Sequence, residues 1–248
     1  MRLTLNNNMN GINEQHELTL ADRIARMEAA CEIQNIMGKY AFYHSANRHR
    51  ECLELFALQV PDVRAEMMWG VYEGAHSIEQ LYPGWHAWAD GDVRGTMHMH
   101  PLSTPVIEVA ADAQTAKAAW LCPGLECGGP PGHKLAAWGW NKYGIDFIRE
   151  NGVWKIWHLH VYGAFMTPFN MSWVDVPPMD LPPMGEDAGN FHMPGMADDA
   201  PKPPPTPREF WPDRPPTTNW AYRTVRSYPK DQPGMPMPYQ TFADTFGY

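Results

Sequence analysis

His98 and His100, and again His158 and His160, stand two residues apart in this sequence, while Tyr40 and His44 stand four apart. Residues two apart share a face of a strand, and residues four apart share a face of a helix. Imidazole, with an ordinary pKa near 6.5, gains and loses protons around neutral pH, so paired histidines beside a tyrosine point to general acid–base chemistry. Metal binding is the rival reading for His98 and His100. It needs a third close ligand, usually a carboxylate or thiolate. Nothing at a fixed short spacing supplies one, so proton transfer and hydrogen bonding are the expected duty and no metal is expected.

The second pair lies in the stretch 138–165, which reads as two long strands joined at Glu150-Asn151-Gly152. β-Branched and aromatic residues fill both arms, and Asn-Gly is a strong hairpin signal. Alternation puts Asn141, Tyr143, Ile145 and Phe147 on one face of the first arm, and Trp154, Ile156, His158, His160 and Tyr162 on the matching face of the second. A face that only packs a core would be uniformly apolar. Asn, Tyr and two His among Ile, Phe and Trp suit a ligand pocket, although histidines satisfying one another in an ordinary core would give the same pattern. Lys142 and Asp146 fall on the opposite face and are left out of the site.

The positioning elements can be read in order. Thr19 and Asp22 have capping-box spacing. Beyond them Ile24, Met27, Cys31, Met37, Tyr40 and His44 recur at helical spacing, and Tyr40, Tyr43 and His44 gather at the end as they would at a pocket mouth. A short helix over 48–58 follows, then strands over 63–69 (with Met67) and 70–73, and a third helix over 75–88 that turns Ile78, Leu81 and Trp85 inward. A strand over 96–109 places His98, His100, Leu102 and Thr104 on one face. Another over 115–121 leads into a Gly/Pro-rich loop, 122–134.

Composition sets the outer limits. A net charge of −9 without a basic cluster argues against nucleic acid. No apolar run reaches the roughly 18 residues of a membrane helix, and the first residues lack a signal-peptide pattern. Four scattered cysteines without a Cys-x-x-Cys motif read as reduced thiols. A soluble cytoplasmic protein is expected. Eighteen of the 25 prolines lie from Pro168 onward, so a compact domain is expected over 18–169 and an extended arm over 170–248. A proline-rich stretch is ordinarily a stiff spacer or disordered, and PKPPPTP has the look of an SH3-type ligand. Yet Phe191, Trp211, Trp220, Tyr222, Tyr228, Tyr239, Phe242 and Phe246 are too many aromatics for a solvated tail. An arm that docks on its own domain or on a neighbouring subunit accounts for both. Because an open sheet also leaves an outer face to cover, a homodimer or higher homo-oligomer is expected.

The element order and several phrases resemble the SnoaL-like branch of the nuclear transport factor 2-like superfamily: KYAFYHSANRHRECLELFA, GVYEGAHSIEQLY, MHPLSTPVIEVA and YGIDFIRENGVWKIWHLHV. The resemblance covers about 18–165. It implies an α+β fold, a cone-shaped α+β barrel whose curved antiparallel sheet wraps around three helices. In enzymes of this fold similar to scytalone dehydratase, pocket groups come from the end of helix one, a strand-three histidine and the closing strands. The corresponding places hold His44 with Ser45, His100, and Asn141 with Tyr143. Many relatives carry aspartate where Ser45 stands, so histidine is left to move the protons here, with tyrosine or lysine as partner.

The resemblance leaves chemistry open, since one fold hosts many functions. No nucleotide loop, nucleophile elbow or metal motif is present, and no cofactor is expected. Elimination, isomerisation or carbon–carbon cleavage by proton movement remains, and a pocket rich in aromatics and methionine suits a small aromatic substrate. Longer SnoaL-like proteins with aromatic, proline-containing extensions resemble the bacterial γ-formaldehyde lyases of lignin-dimer catabolism. That resemblance implies a cofactor-independent lyase that turns a lignin-derived diaryl compound into a stilbene and formaldehyde. The alternatives are a dehydratase, isomerase or cyclase on another aromatic or polyketide, and a non-catalytic aromatic binder. The expected catalytic residues are His100, His44, Tyr40, Tyr143 and Asn141. Substrate contacts are expected from His98, His158, His160, Tyr43, Phe147, Trp154 and Met67.

Overall fold

The computed structural model describes residues 18–129, 132–175, 204–218, 222, 224–225 and 232–248. Helix α1 (Leu20–Ser45) starts where its cap predicts: Thr19 Oγ1 accepts from Asp22 N, and Asp22 accepts in return from Thr19 N at 2.9 Å. Its buried stripe is Ala29, Ile33, Met37 and Tyr40. Ile24, Met27 and Cys31, read as inward-facing, are exposed instead. The stripe that packs runs from Ala29 through Ile33, two positions off the expected one, and meets it only at Met37 and Tyr40.

Helix α2 (His49–Leu53) is shorter than the expected 48–58. Strands β1 (Arg64–Met67) and β2 (Gly70–Glu73) form a hairpin. The third helix is a run of three parts: α3 (Gly74–Glu79), a π-helical segment Gln80–His86 containing Pro83, and α4 (Ala87–Asp90). Widening the turn around Pro83 brings Tyr82 and His86 inward together with Leu81 and Trp85. All four are buried.

Strands β3 (Met97–Met99), β4 (Ser103–Val109), β5 (Thr115–Gly128), β6 (Leu135–Glu150) and β7 (Val153–Pro168) complete a curved open sheet. Its order is β2-β1-β7-β6-β5-β3, with β4 also paired to β5. The α+β architecture is the expected one, except that β1 runs parallel to β7, so the sheet is not wholly antiparallel. The single strand expected over 96–109 is two strands that break at His100–Leu102. The expected loop over 122–134 is largely strand, because β5 pairs with β6 as far as Gly128 opposite Leu135. The Asn151-Gly152 turn holds φ of +51° and +80°, the left-handed pair a two-residue hairpin requires.

Two irregularities in β7 decide which side chains share a face. Phe147 pairs with Ile156 but Asp146 pairs with His158, so Trp157 is an extra residue, and alternation reverses beyond it. A second shift lies between Trp140 and Asn141, which pair with Phe165 and Gly163.

The helices and the concave face enclose a core in which Phe56, Tyr72, Tyr82, Phe147 and Trp154 are fully buried. The opposite face is covered by the chain itself. Tyr248 N donates to Asp146 Oδ2 at 2.8 Å, Thr217 N to Glu66 Oε1 at 2.6 Å, and Lys142 Nζ to the Gln232 carbonyl at 3.1 Å. The sheet face whose coverage suggested a partner subunit is therefore occupied in part by Thr217, Thr218 and residues 232–248. Phe191, Trp220 and Tyr228, among the aromatics expected to anchor the arm, lie outside the described residues. No helix among the described residues is long and apolar enough to cross a membrane.

Candidate active site

Five histidines and two carboxylates meet where the end of α1, the start of α2, the third helical run and the mouth of the sheet converge. Glu126 is the hub. On β5, alternation puts Trp120, Cys122, Gly124 and Glu126 on the concave face, opposite Tyr143, Asn141, Gly139 and Ala137 of β6. On the other side Glu126 pairs in register with His98 of β3. Its Oε2 lies 2.5 Å from His98 Nδ1, and its Oε1 is hydrogen-bonded to His100 Nε2. Gly124 permits this arrangement, since a Cβ there would come within 3.0 Å of His100 Cδ2. His100 then turns its Nδ1 to His44 Nδ1, 3.3 Å away.

A second carboxylate holds the other side. Asn47, at φ +56° in the turn after α1, donates its amide to Asp90 Oδ2 at 2.6 Å. His49 Nε2 lies 2.6 Å from the same oxygen, while His98 Nε2 is 3.8 Å from Oδ1. His86 donates Nδ1–H to the Leu81 carbonyl at 2.8 Å and stacks on Tyr82, and its ring meets His44 edge-on with centroids 5.2 Å apart. Deeper in, the Tyr40 and Tyr82 hydroxyls are 3.0 Å apart, and the Tyr143 ring lies edge-on to Tyr40 at 6.3 Å. An open surface hollow of about 410 Å³ lies between the α1–α2 turn and Pro83 and touches the cluster at His49.

The electrostatics follow from burial and these bonds. Burial alone would raise the Glu126 carboxyl, but the His100 and His98 hydrogen bonds outweigh it and hold it at about 2. His98 is raised by its bond to Glu126. Asp90 is lowered, burial being overcome by His49 and Asn47. Burial, then the neighbouring His100, His86, His49 and His98, push His44 well below the ordinary histidine range, and burial takes His86 down to about 4. Burial also pushes Tyr40, Tyr82 and Tyr143 up, so their hydroxyls keep their protons. Cys52 and Cys122 rise to about 12 for the same reason and stay as thiols.

His44, His100, Tyr40, Tyr143, Asn141 and His98, proposed from sequence, are brought together. His158 and His160 are not. The Trp157 bulge turns them to the convex face, where His158 Nδ1 meets Asp146 at 2.8 Å and His160 Nε2 lies 2.9 Å from Thr218 Oγ1 and 3.2 Å from Glu66. Phe147 and Trp154 sit at the turn end of the hairpin, Phe147 against Trp120 and Trp154 under the Arg149 guanidinium. Met67 is core, and Tyr43 packs beneath Arg48. Glu126, Asp90, His49, His86 and Tyr82 were not anticipated. Among the described residues no three His, Cys, Asp or Glu side chains are grouped to hold a metal ion.

Residues 25–160, over half of the chain, match the SnoaL-like domain family. No curated protein matches. Among solved structures the chain is similar to LinA, at a TM-score of 0.50 and 14% identity over 63% of this chain and 99% of that one. It is also similar to the hexachlorocyclohexane dehydrochlorinase LinA-type3 of Novosphingobium barchaimii LL02 (TM-score 0.47, 18% identity, 64% and 100% covered). A provisionally assigned scytalone dehydratase of Novosphingobium aromaticivorans DSM 12444 follows (0.45, 15%, 62% and 94%). At such identities the likeness is one of fold. With the family match over its helices and sheet, the chain belongs to the SnoaL-like branch of the nuclear transport factor 2-like superfamily.

Proposed function

We propose that the chain is a cofactor-independent lyase that acts on a lignin-derived diaryl compound by acid–base catalysis, forming a stilbene and releasing formaldehyde. The observation that carries this reading is the Glu126–His100–His44 array set over protonated tyrosines. A carboxylate accepts only, so His100 carries its proton on Nε2 and offers a lone pair at Nδ1. His44, neutral because it is buried, must donate its Nδ1–H across the 3.3 Å contact. Its lone pair is then on Nε2, which has no hydrogen-bond partner among the described residues. His44 Nε2 is the general base, His100 relays its charge, and Glu126 fixes the tautomer of both.

In a diarylpropanediol with a para-phenol, His44 takes the phenolic proton as the benzylic hydroxyl leaves, protonated by a tyrosine hydroxyl of the Tyr40–Tyr143 pair. A quinone methide and water result. The tyrosinate left by that transfer takes the proton of the terminal alcohol, the bond to the hydroxymethyl carbon breaks and formaldehyde leaves, and its electron pair forms the stilbene double bond and restores the ring as a phenolate that recovers its proton from His44. No electrons enter or leave overall. Asn141, on the Tyr143 face of β6, is placed to orient an oxygen. The experiment is incubation of purified protein with lignin-derived dimers, following stilbene absorbance and trapped formaldehyde. Stoichiometric appearance of both is expected. A para-phenol methyl ether that reacts at the full rate would rule out the quinone-methide route, and no turnover of any phenolic dimer would rule out the lyase.

A further inference from the structure

We propose that Asp90 is a positioning residue: together with Glu126 it holds His98 as a fixed imidazolium, and that charge adds to burial in keeping His44 unprotonated and ready to accept a proton. The inference rests on the reading of His44 as the base. His98 is the histidine of the cluster whose two nitrogens both face carboxylates, Nδ1 at 2.5 Å from Glu126 Oε2 and Nε2 at 3.8 Å from Asp90 Oδ1. A neutral imidazole has one N–H and one lone pair, so it would turn the lone pair towards an anion. Only the doubly protonated ring satisfies both sides.

Asp90 is itself set for this task. Asn47 Nδ2 and His49 Nε2 both take Oδ2, which leaves Oδ1 for His98. One side chain thus ties the α1–α2 turn, the end of α4 and β3 around the cluster. The charged groups bearing on His98 are Glu126 from β5, Asp90 from α4 and Lys134 from the segment before β6, the last opposing its protonation. Those around His44 are His100, His98, His86, His49 and Tyr40. His86 gives its Nδ1 proton to a carbonyl, and His49 Nδ1 is buried without a partner among the described residues, so neither is held between two carboxylates as His98 is.

The test is an NMR titration of the histidine Cε1 protons in the folded protein without substrate, paired with the pH profile of turnover. His98→Gln keeps a donor to Glu126 but removes the charge. It should raise the His44 midpoint by about one pH unit, the scale of a like charge two rings away at an effective dielectric constant of about 20, and shift the acid limb of kcat/KM equally. Asp90→Asn should lower the His98 midpoint while the bond to Glu126 keeps part of the rise, and Asp90→Glu should restore it. A His98 midpoint at or below about 6.5 in the unaltered protein would overturn the proposal without any variant having to fold. So would a His44 midpoint unmoved by His98→Gln. Because the titrations need no substrate, failure of the lyase reading would show as absent turnover and leave this result to be judged separately.

Discussion

Glu126→Gln tests the site at its hub. The carboxylate accepts from His98 on one oxygen and from His100 on the other. An amide of the same shape has one acceptor and one donor end, so one imidazole must change its tautomer or lose its bond. If it is His100, the proton moves to Nδ1, His44 can no longer donate there, and its lone pair leaves Nε2. If it is His98, the tautomer of the base survives, but the carboxylate charge that stabilises protonated His44 is gone. At an effective dielectric constant of about 20, a charge held one imidazole away is worth roughly 2–3 kcal/mol, so even the milder outcome costs about 10²-fold in kcat. The tautomer conflict extends the range to about 10³-fold. The assay is stilbene formation from a para-phenolic dimer, with KM expected to stay within about threefold because Glu126 has no role in uniform binding. Glu126→Asp, which keeps the charge, should recover part of the loss. A Glu126→Gln protein that is folded and retains more than about a tenth of the turnover would refute the triad.

Replacing His100 by Ala should cost at least about 10²-fold in turnover, whereas His133→Ala, in the segment before β6, should be neutral; equal effects would dissociate His100 from the chemistry. Deleting residues 242–248 uncovers the buried Lys117–Asp146 pair and should lower the melting temperature by about 10 °C, an unchanged value showing that these residues merely rest on the sheet. Burial holds His86 at about 4, so between about 6.5 and about 4 the unfolded chain binds the extra proton and stability falls as pH drops. His86→Leu should remove roughly 2–3 kcal/mol of the stability difference between pH 7 and pH 4.5 in denaturant titrations, and an unchanged difference would place the pH dependence elsewhere. His98 acts in the opposite sense, its stabilisation being lost as pH rises through its elevated folded value.

The hairpin, the capped helix, the strand histidines and the family were legible because each rests on a local pattern: Asn151-Gly152, Thr19 with Asp22, and His98 with His100 at a spacing of two. The hub was hidden by composition. Pro123, Gly124, Gly128 and Gly129 look like loop, yet Pro123 lies in β5, and Gly124 is there because His100 covers it. Continuing the alternation Trp120, Cys122, Gly124 through those residues would have put Glu126 opposite His98. Asp90 and His49 carry no such pattern, since each is brought in by a turn. His86 and Tyr82 were masked by reading a 3.6-residue period through Pro83, where the helix takes a wider turn.

One residue explains the largest departure in the site. Trp157 is extra, so the polar positions of the hairpin, which alternation makes one lining, are divided between two faces. The concave face keeps Asn141 and Tyr143 beside the histidine cluster. The convex face receives His158 against Asp146, with Lys117 bonded to the same carboxylate and to the Phe246 carbonyl. Phe242, Phe246 and Tyr248 surround the Lys117 ammonium at 5.0, 4.4 and 4.5 Å. Burial lowers Lys117 and Asp146 opposes that shift, so the pair persists only while both partners are present and water is excluded. Residues 232–248 do the excluding, and the aromatic content that set them apart from a solvated tail has its physical reason there. The bulge thus makes the sheet two-sided, with the histidine cluster on one face and, on the other, a buried charge that requires the arm.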